Sequence, residues 1–164
     1  MALQFSRLSA KSTDFVIGEV SLDKVVREAI HKYARLFVRK KIKMELSSID
    51  TQVLTDEKWL EFVIEQILSN AIKYTAGGTI SVYLEEESEQ ETKELVIEDT
   101  GIGIAPEDLP RIFEKGYTGY NGHADKRSTG IGLYLCRKIM RKLSHEITIE
   151  SEIGVGTKVH LEIR

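Results

Sequence analysis

The chain has 164 residues, 41% of them hydrophobic and 30% charged, with a formal net charge of −3 from 23 basic and 26 acidic side chains. That balance fits one globular domain with a sizeable core and offers no broad basic surface for nucleic acid. A single cysteine, Cys136, excludes an internal disulfide framework, and no run approaches the roughly twenty apolar residues of a membrane span or follows Met1 as a signal peptide.

Residues 1–15 are weakly patterned and read as a linker or the end of a longer upstream helix; the domain proper is expected over 16–164. Phe15–Val20 reads as a short strand. Ser21 is a helix N-cap, with Val20 and Val25 spaced as a hydrophobic staple. Leu22, Val25, Val26, Ala29, Ile30, Tyr33 and Phe37 continue at helical spacing up to the basic cluster Arg39-Lys40-Lys41, which suits a helix C-terminus. Lys43–Leu46 and Thr51–Leu54 read as short strands.

The second helix is expected from Asp56 to about Thr75, on the stripe Leu60, Val63, Ile64, Ile67, Leu68, Ala71 and Ile72. Gly77-Gly78 stops it. Thr79–Leu84 and Glu94–Asp99 read as strands joined by the exposed acidic stretch 85–91. Pro106 opens a short helix, with Glu107 and Asp108 at its positive end. Residues 115–129 form a polar, glycine-spaced loop. A third helix is expected from about Gly130 to Leu143, with Cys136 as a small packing residue inside it. His145–Ser151 and Lys158–Ile163 make a terminal hairpin around Gly154 and Gly156. The interleaving predicts an α/β two-layer sandwich: a mixed five-stranded sheet packed on three helices.

Three segments carry candidate chemistry. On the second helix, Gln66, Asn70 and Lys73 fall within about 60° of one another, on the border of the apolar stripe. The Asn70 side-chain oxygen is a hard neutral ligand suited to Mg²⁺, Lys73 can meet phosphate as a point charge, and Tyr74 can lie against a base. Taken alone, the same residues would serve as a solvated helix border. Next, the strand Glu94–Asp99 delivers a carboxylate just before Gly101 and Gly103. A carboxylate is acceptor-only and so selects an adenine amino donor; glycines allow close backbone approach; Ile102 and Ile104 can wall the base. Taken alone, Asp99 is equally a turn cap. Third, Ser128-Thr129-Gly130-Ile131-Gly132-Leu133 opens a helix whose free N–H groups can hold an anion, or simply carries an N-cap. The loop before it, with glycines and cations, reads as a lid.

Other phosphate and metal signatures fail. There is no Gly-x₄-Gly-Lys-Ser/Thr run, no third glycine for a dinucleotide fingerprint, no serine-hydrolase elbow, and no zinc spacing among His31, His123, His145, His160 and Cys136.

The segments Gln66–Thr75, Asp99–Ile104, Arg111–Gly116, Ser128–Tyr134 and Gly154–Thr157 together resemble the ATP-binding domain of bacterial sensor histidine kinases, in the gyrase, heat-shock chaperone, histidine kinase and MutL superfamily. The run Phe113–Gly122 resembles in particular the intramembrane-sensing, antibiotic-responsive type. The resemblance implies a Bergerat-type nucleotide-binding fold, with ATP and Mg²⁺ as cofactors. It implies that Asn70 holds the metal, and that Asn70 and Lys73, with Gln66 beside them, are the catalytic candidates. Tyr74 and Ile104 would flank the base, Asp99 would take the adenine amino proton beside Gly101 and Gly103, and Thr157 would reach the base through water. Phe113 would anchor the lid, with Lys115 and Tyr117 following it towards the nucleotide. Ser128, Thr129, Gly130, Ile131, Gly132 and Leu133 would lie at the phosphates.

Two departures refine this. Hydrolases of the superfamily place a glutamate four residues before the Asn; here that position is Gln66, which cannot act as a base, favouring phosphoryl transfer over hydrolysis. The family's upstream phosphoacceptor helix, with His followed by an acid, has no match in this sequence, so the chain reads as the nucleotide-binding part of a larger kinase. Residues 1–15 would then be a linker or the end of the dimerisation helix. The implied partners are the upstream phosphoacceptor and dimerisation helices and, through them, a response regulator, with no nucleic acid. The full protein would be a homodimer in the bacterial cell membrane, with this domain cytoplasmic and monomeric by itself. An ATPase switch and an anti-sigma-type serine kinase on the same fold are the alternatives.

Overall fold

The computed structural model describes residues 15–85, 92–114 and 132–163. The elements in chain order are β1 (Ile17–Ser21), α1 (Leu22–Lys32), α2 (Ala34–Arg39), β2 (Lys43–Leu46), β3 (Gln52–Asp56), α3 (Glu57–Tyr74), β4 (Thr79–Glu85), β5 (Lys93–Asp99), α4 (Gly132–Lys142), β6 (Glu146–Glu152) and β7 (Gly156–Ile163). A five-stranded sheet has the order β2-β4-β5-β7-β6, with β2 parallel to β4 and the other neighbours antiparallel. This is the expected mixed sheet; α3 packs against both α1 and α4, and α3 and α4 lie against its strands β5 and β6. A second, two-stranded sheet, β1 with β3, lies apart from it. Local patterns could not assign these two strands to a sheet, because pairing partners are chosen by tertiary contact.

The core explains the layering. Leu60, Ile64, Ile67 and Leu68 of α3, Leu135 and Ile139 of α4, and Ile80, Leu95 and Ile97 of the sheet are all buried to within 2% exposure. Each such side chain contributes about 1.5–3 kcal/mol relative to exposure. Cys136 is fully buried, and burial pushes its thiol well above the usual range, as befits a packing residue. Among the described residues no helix is long and apolar enough to cross a membrane.

Local signals held at the caps. Ser21 Oγ accepts from the Lys24 N–H at 3.3 Å, and Asp56 Oδ1 from the Trp59 N–H at 3.0 Å. Two expectations change. The first long helix breaks at Tyr33 into α1 and α2: the Tyr33 N–H turns back to the Ile30 carbonyl, and the new direction carries Phe37 into the core. The helix expected at Pro106 is instead a turn followed by a short 3-10 segment, Leu109–Arg111. Pro110 lacks the N–H that an α-helix would need there. Phe15 packs edge-on to Trp59, with ring centroids 6.1 Å apart; the rest of the expected linker, residues 1–14, lies outside the described residues.

Antiparallel register fixes which residues share a face. Leu84, Leu95, Leu161 and Ile147 form one cross-strand row on the helix side, and Val82, Ile97, Val159 and Ile149 form the next. The third row is Ile80, Asp99, Thr157 and Ser151. At that end of the sheet the core face turns polar.

Candidate functional site

The polar end of the sheet meets the C-terminus of α3. Asp99 is only 8% exposed, and its Oδ1 accepts the Gly101 N–H at 2.9 Å. Burial is the main influence on this carboxyl and raises its pKa above the ordinary Asp value; the backbone N–H groups of Gly101 and Thr157 and the nearby Thr75 hydroxyl pull in the other direction. Thr75 is itself buried; its hydroxyl stands close enough to the Asp99 carboxyl to favour the ionised form, yet outside hydrogen-bond geometry to any described residue. A Cβ added to Gly101 would run into the Tyr74 carbonyl and stand 2.8 Å from that hydroxyl and 2.9 Å from Asp99 Oδ1. The glycine therefore keeps open a small space shared by an unsatisfied hydroxyl and a buried carboxylate. Groups left unpaired in this way are costly unless a ligand or water meets them. That pairing of acceptor and hydroxyl fits the amino edge of a purine.

The neighbouring residues hold this corner together. The Ile102 N–H donates to the Tyr74 carbonyl at 3.2 Å, tying the Asp99 loop to the end of α3. The Ile104 N–H donates to Ser151 Oγ at 2.8 Å; Ser151 donates to the Gly156 carbonyl at 2.9 Å and meets Thr157 Oγ1 at 2.7 Å. Gly103 lies against the backbone of Glu152, and Gly156 against that of Asp99. Asp99, Gly101, Gly103, Ile104 and Thr157 are thus brought to one place.

Gln66, Asn70, Lys73 and Tyr74 are half-buried along α3 beside its apolar stripe. The Lys73 ammonium sits 5.3 Å from the centre of the Tyr74 ring. Lys40, from the end of α2, donates to the Ile72 carbonyl and, at 3.2 Å, to the Lys73 carbonyl, so a cation closes the C-terminus of α3. The first residue of α4, Gly132, faces the same ridge: a Cβ there would stand 3.2 Å from Gln66 Oε1. Leu133 follows, half-buried. Phe113 packs against the core with the Arg137 guanidinium 4.8 Å above its ring. Lys115, Tyr117, Ser128, Thr129, Gly130 and Ile131, and with them the expected lid, lie outside the described residues.

Sequence reasoning passed over Thr75, Ser151 and Lys40. Thr75 stood inside a quoted segment without a role, and a hydroxyl directly after the last helical residue was its only signal. Ser151 carries no local signal for its contact with the distant Ile104 N–H, and Lys40, read as suiting the end of its own helix, instead closes a distant one.

The donor set suits a magnesium nucleotide. An acceptor and a hydroxyl stand at one end, and an amide, a lysine and the start of a helix at the other. Residues 55–164 match the family model described as histidine kinase-, DNA gyrase B- and HSP90-like ATPase. The chain is 39% identical over 158 residues to the sensor histidine kinase YxdK of Bacillus subtilis, covering 96% of this chain and 49% of that protein. It is 37% identical to the sensor protein BceS of the same organism (94% and 46% covered) and 34% identical to the sensor protein kinase GraS of Staphylococcus aureus (97% and 46%). The chain spans about half the length of the curated relatives it matches. Among solved structures, full-length ShkA in complex with AMPPNP superposes with a TM-score of 0.83 at 23% identity, covering 99% of this chain and 34% of that one. The catalytic domain of the histidine kinase ThkA gives 0.77 at 24% identity, covering 91% and 95%. These likenesses bear on the fold.

Proposed function

This chain belongs to the family of histidine kinase-, DNA gyrase B- and HSP90-like ATPases, and we propose that it binds Mg-ATP and donates the γ-phosphoryl group to a histidine on a separate phosphoacceptor module. The observation that carries the reading is the buried Asp99 carboxylate beside the unsatisfied Thr75 hydroxyl, in a space that Gly101 leaves open. Asp99 would accept from the adenine amino group and Thr75 would meet the ring edge, with Ile104 and Tyr74 walling the base. Asn70, a neutral oxygen donor, would hold the metal, whose chemistry is to neutralise charge on the phosphate oxygens. Lys73 and the N–H groups at the start of α4 would bind the phosphates.

The chain's own part in transfer is positioning and charge stabilisation, which is most of what phosphoryl transfer asks of a protein. Gln66 faces the start of α4 where a hydrolase of this family would carry a base. An amide cannot take a proton from water, which favours transfer to an acceptor over hydrolysis. Named sensor kinases among the relatives support the same direction. For the whole protein we infer a homodimeric membrane sensor of the antibiotic-responsive type that passes phosphate to a response regulator; the sensor-kinase names of the relatives support its signalling role.

Titration calorimetry with a non-hydrolysable ATP analogue and Mg²⁺ tests the binding. Labelling with ATP in the presence of a fragment carrying a His-acid helix tests the transfer. The expected label sits on that fragment and is acid-labile and alkali-stable; acid-stable label on a partner serine would favour a serine kinase instead.

A further inference from the structure

The sheet face turned away from the helices carries a second cluster. His160 lies there on β7, only 8% exposed, beside Val96 of β5 and Thr148 of β6 in the cross-strand row. Its Nδ1 is 2.7 Å from Glu94 Oε1 and 3.9 Å from Glu85 Oε2, and its Nε2 is 3.0 Å from Glu150 Oε2. Carboxylates only accept hydrogen bonds, whereas a neutral imidazole has a single N–H. A neutral ring therefore donates to one of these carboxylates and leaves a lone pair on its other nitrogen for a cation. Lys158, on the same face, bridges Glu98 at 3.4 Å.

We propose that His160 Nδ1, Glu94 and Glu85 form a site for a divalent transition metal of the zinc class, with Glu150 holding the ring. The three donor atoms lie within 4.8 Å of one another. Ligands about 2.0–2.2 Å from one tetrahedral ion stand about 3.3–3.6 Å apart; the 2.7 and 3.9 Å separations bracket that spacing, so the two carboxylates would shift by about half an ångström to close on an ion. With its Nε2–H donating to Glu150, 3.0 Å away, the ring would present a bare Nδ1 to the metal, the usual arrangement behind a metal-bound histidine. The ligands come from β4, β5 and β7, so no spacing in the sequence could reveal them, and the ion would fasten three strands together. The site stands on the opposite face of β5 from Asp99 and is independent of nucleotide.

Calorimetry with Zn²⁺ at pH 7.5 on the protein freed of metal should show one ion per chain, undisturbed by excess Mg²⁺. His160→Gln, Glu94→Gln and Glu85→Gln should each weaken it at least tenfold, and Glu150→Gln by roughly tenfold through the ring alone. Glu85 is half-exposed, so its variant keeps the test valid if the His160 variant misfolds. Affinity for the ATP analogue should be unchanged throughout. Absence of a stoichiometric zinc site, or zinc binding indifferent to these substitutions, would overturn the proposal. So would nitrogen NMR showing His160 as an imidazolium at pH 7.5 that zinc does not displace, since a second proton would then be the cation.

Discussion

The Gly101 N–H donates to Asp99 Oδ1 at 2.9 Å, across a turn of two residues. The carboxylate is thereby aimed by the backbone of the loop that follows it, while the strand that carries it fixes its depth. The Thr157 N–H and the Thr75 hydroxyl also favour the ionised group, and a carboxylate, with about four lone-pair sites, keeps acceptor capacity for a ligand.

Asp99→Asn separates stability from binding. Burial raises the carboxyl's pKa in the folded protein. The folded state then holds this proton more tightly than the unfolded chain. The resulting stability is complete below the unfolded Asp pKa of about 3.9 and is lost as pH rises through the folded value. At neutral pH the ionised group therefore opposes folding, and the neutral variant should melt higher than the parent without nucleotide. The difference should close as pH falls towards 4. Affinity for the ATP analogue should drop roughly ten- to a hundredfold, as for loss of a charged acceptor. Calorimetry and melting curves on one preparation check both; a variant that binds normally would place the base elsewhere.

Two glycines in one turn should respond differently. Gly154 has φ +80° with open space around it, whereas Gly156 has φ +144° and lies against the Asp99 backbone. Gly154→Ala should cost about 1–2 kcal/mol from backbone strain alone. Gly156→Ala adds a steric clash, should cost upwards of about 2 kcal/mol, and should also weaken nucleotide binding because it displaces Asp99. Urea unfolding of the pair measures this; equal losses would mean that the β5–β7 approach is looser than its geometry.

Lys40→Met tests the closing of α3. Burial holds this ammonium below the ordinary Lys range, yet it spans two carbonyls at the helix end. Its loss should cost about 1–2 kcal/mol in urea unfolding. Because those carbonyls belong to Ile72 and Lys73, nucleotide affinity should fall as well. Unchanged affinity with reduced stability would confine Lys40 to folding.

Turnover should be slow, and the chain alone should not label itself. His145 is buried against Thr55 Oγ1 at 2.9 Å, and His160 is clasped between carboxylates on the outer sheet face. Neither can reach the roughly 3–3.5 Å approach that in-line transfer needs. Gln66→Glu places a base where the amide stands and should raise steady hydrolysis tenfold or more. Rapid hydrolysis by the unmodified chain would instead support an ATPase switch.

The sequence by itself determined the parts whose causes are local. The apolar stripe of α3, the cap at Ser21, and the glycine pairs that end or bend elements were all legible, because period, capping and backbone freedom act over a few residues. The order Asn70, Asp99, Gly132, on which the proposed nucleotide site rests, was legible for the same reason. Tertiary structure alone decided what depends on strand register and helix approach. It paired β1 with β3 and turned the chain at Tyr33 so that Phe37 could be buried. It set the Thr75 hydroxyl beside Asp99, carried Lys40 to the far end of another helix, and ringed His160 with glutamates from other strands. Each of these joins residues distant in the chain, and such contacts are fixed only when the core chooses one packing.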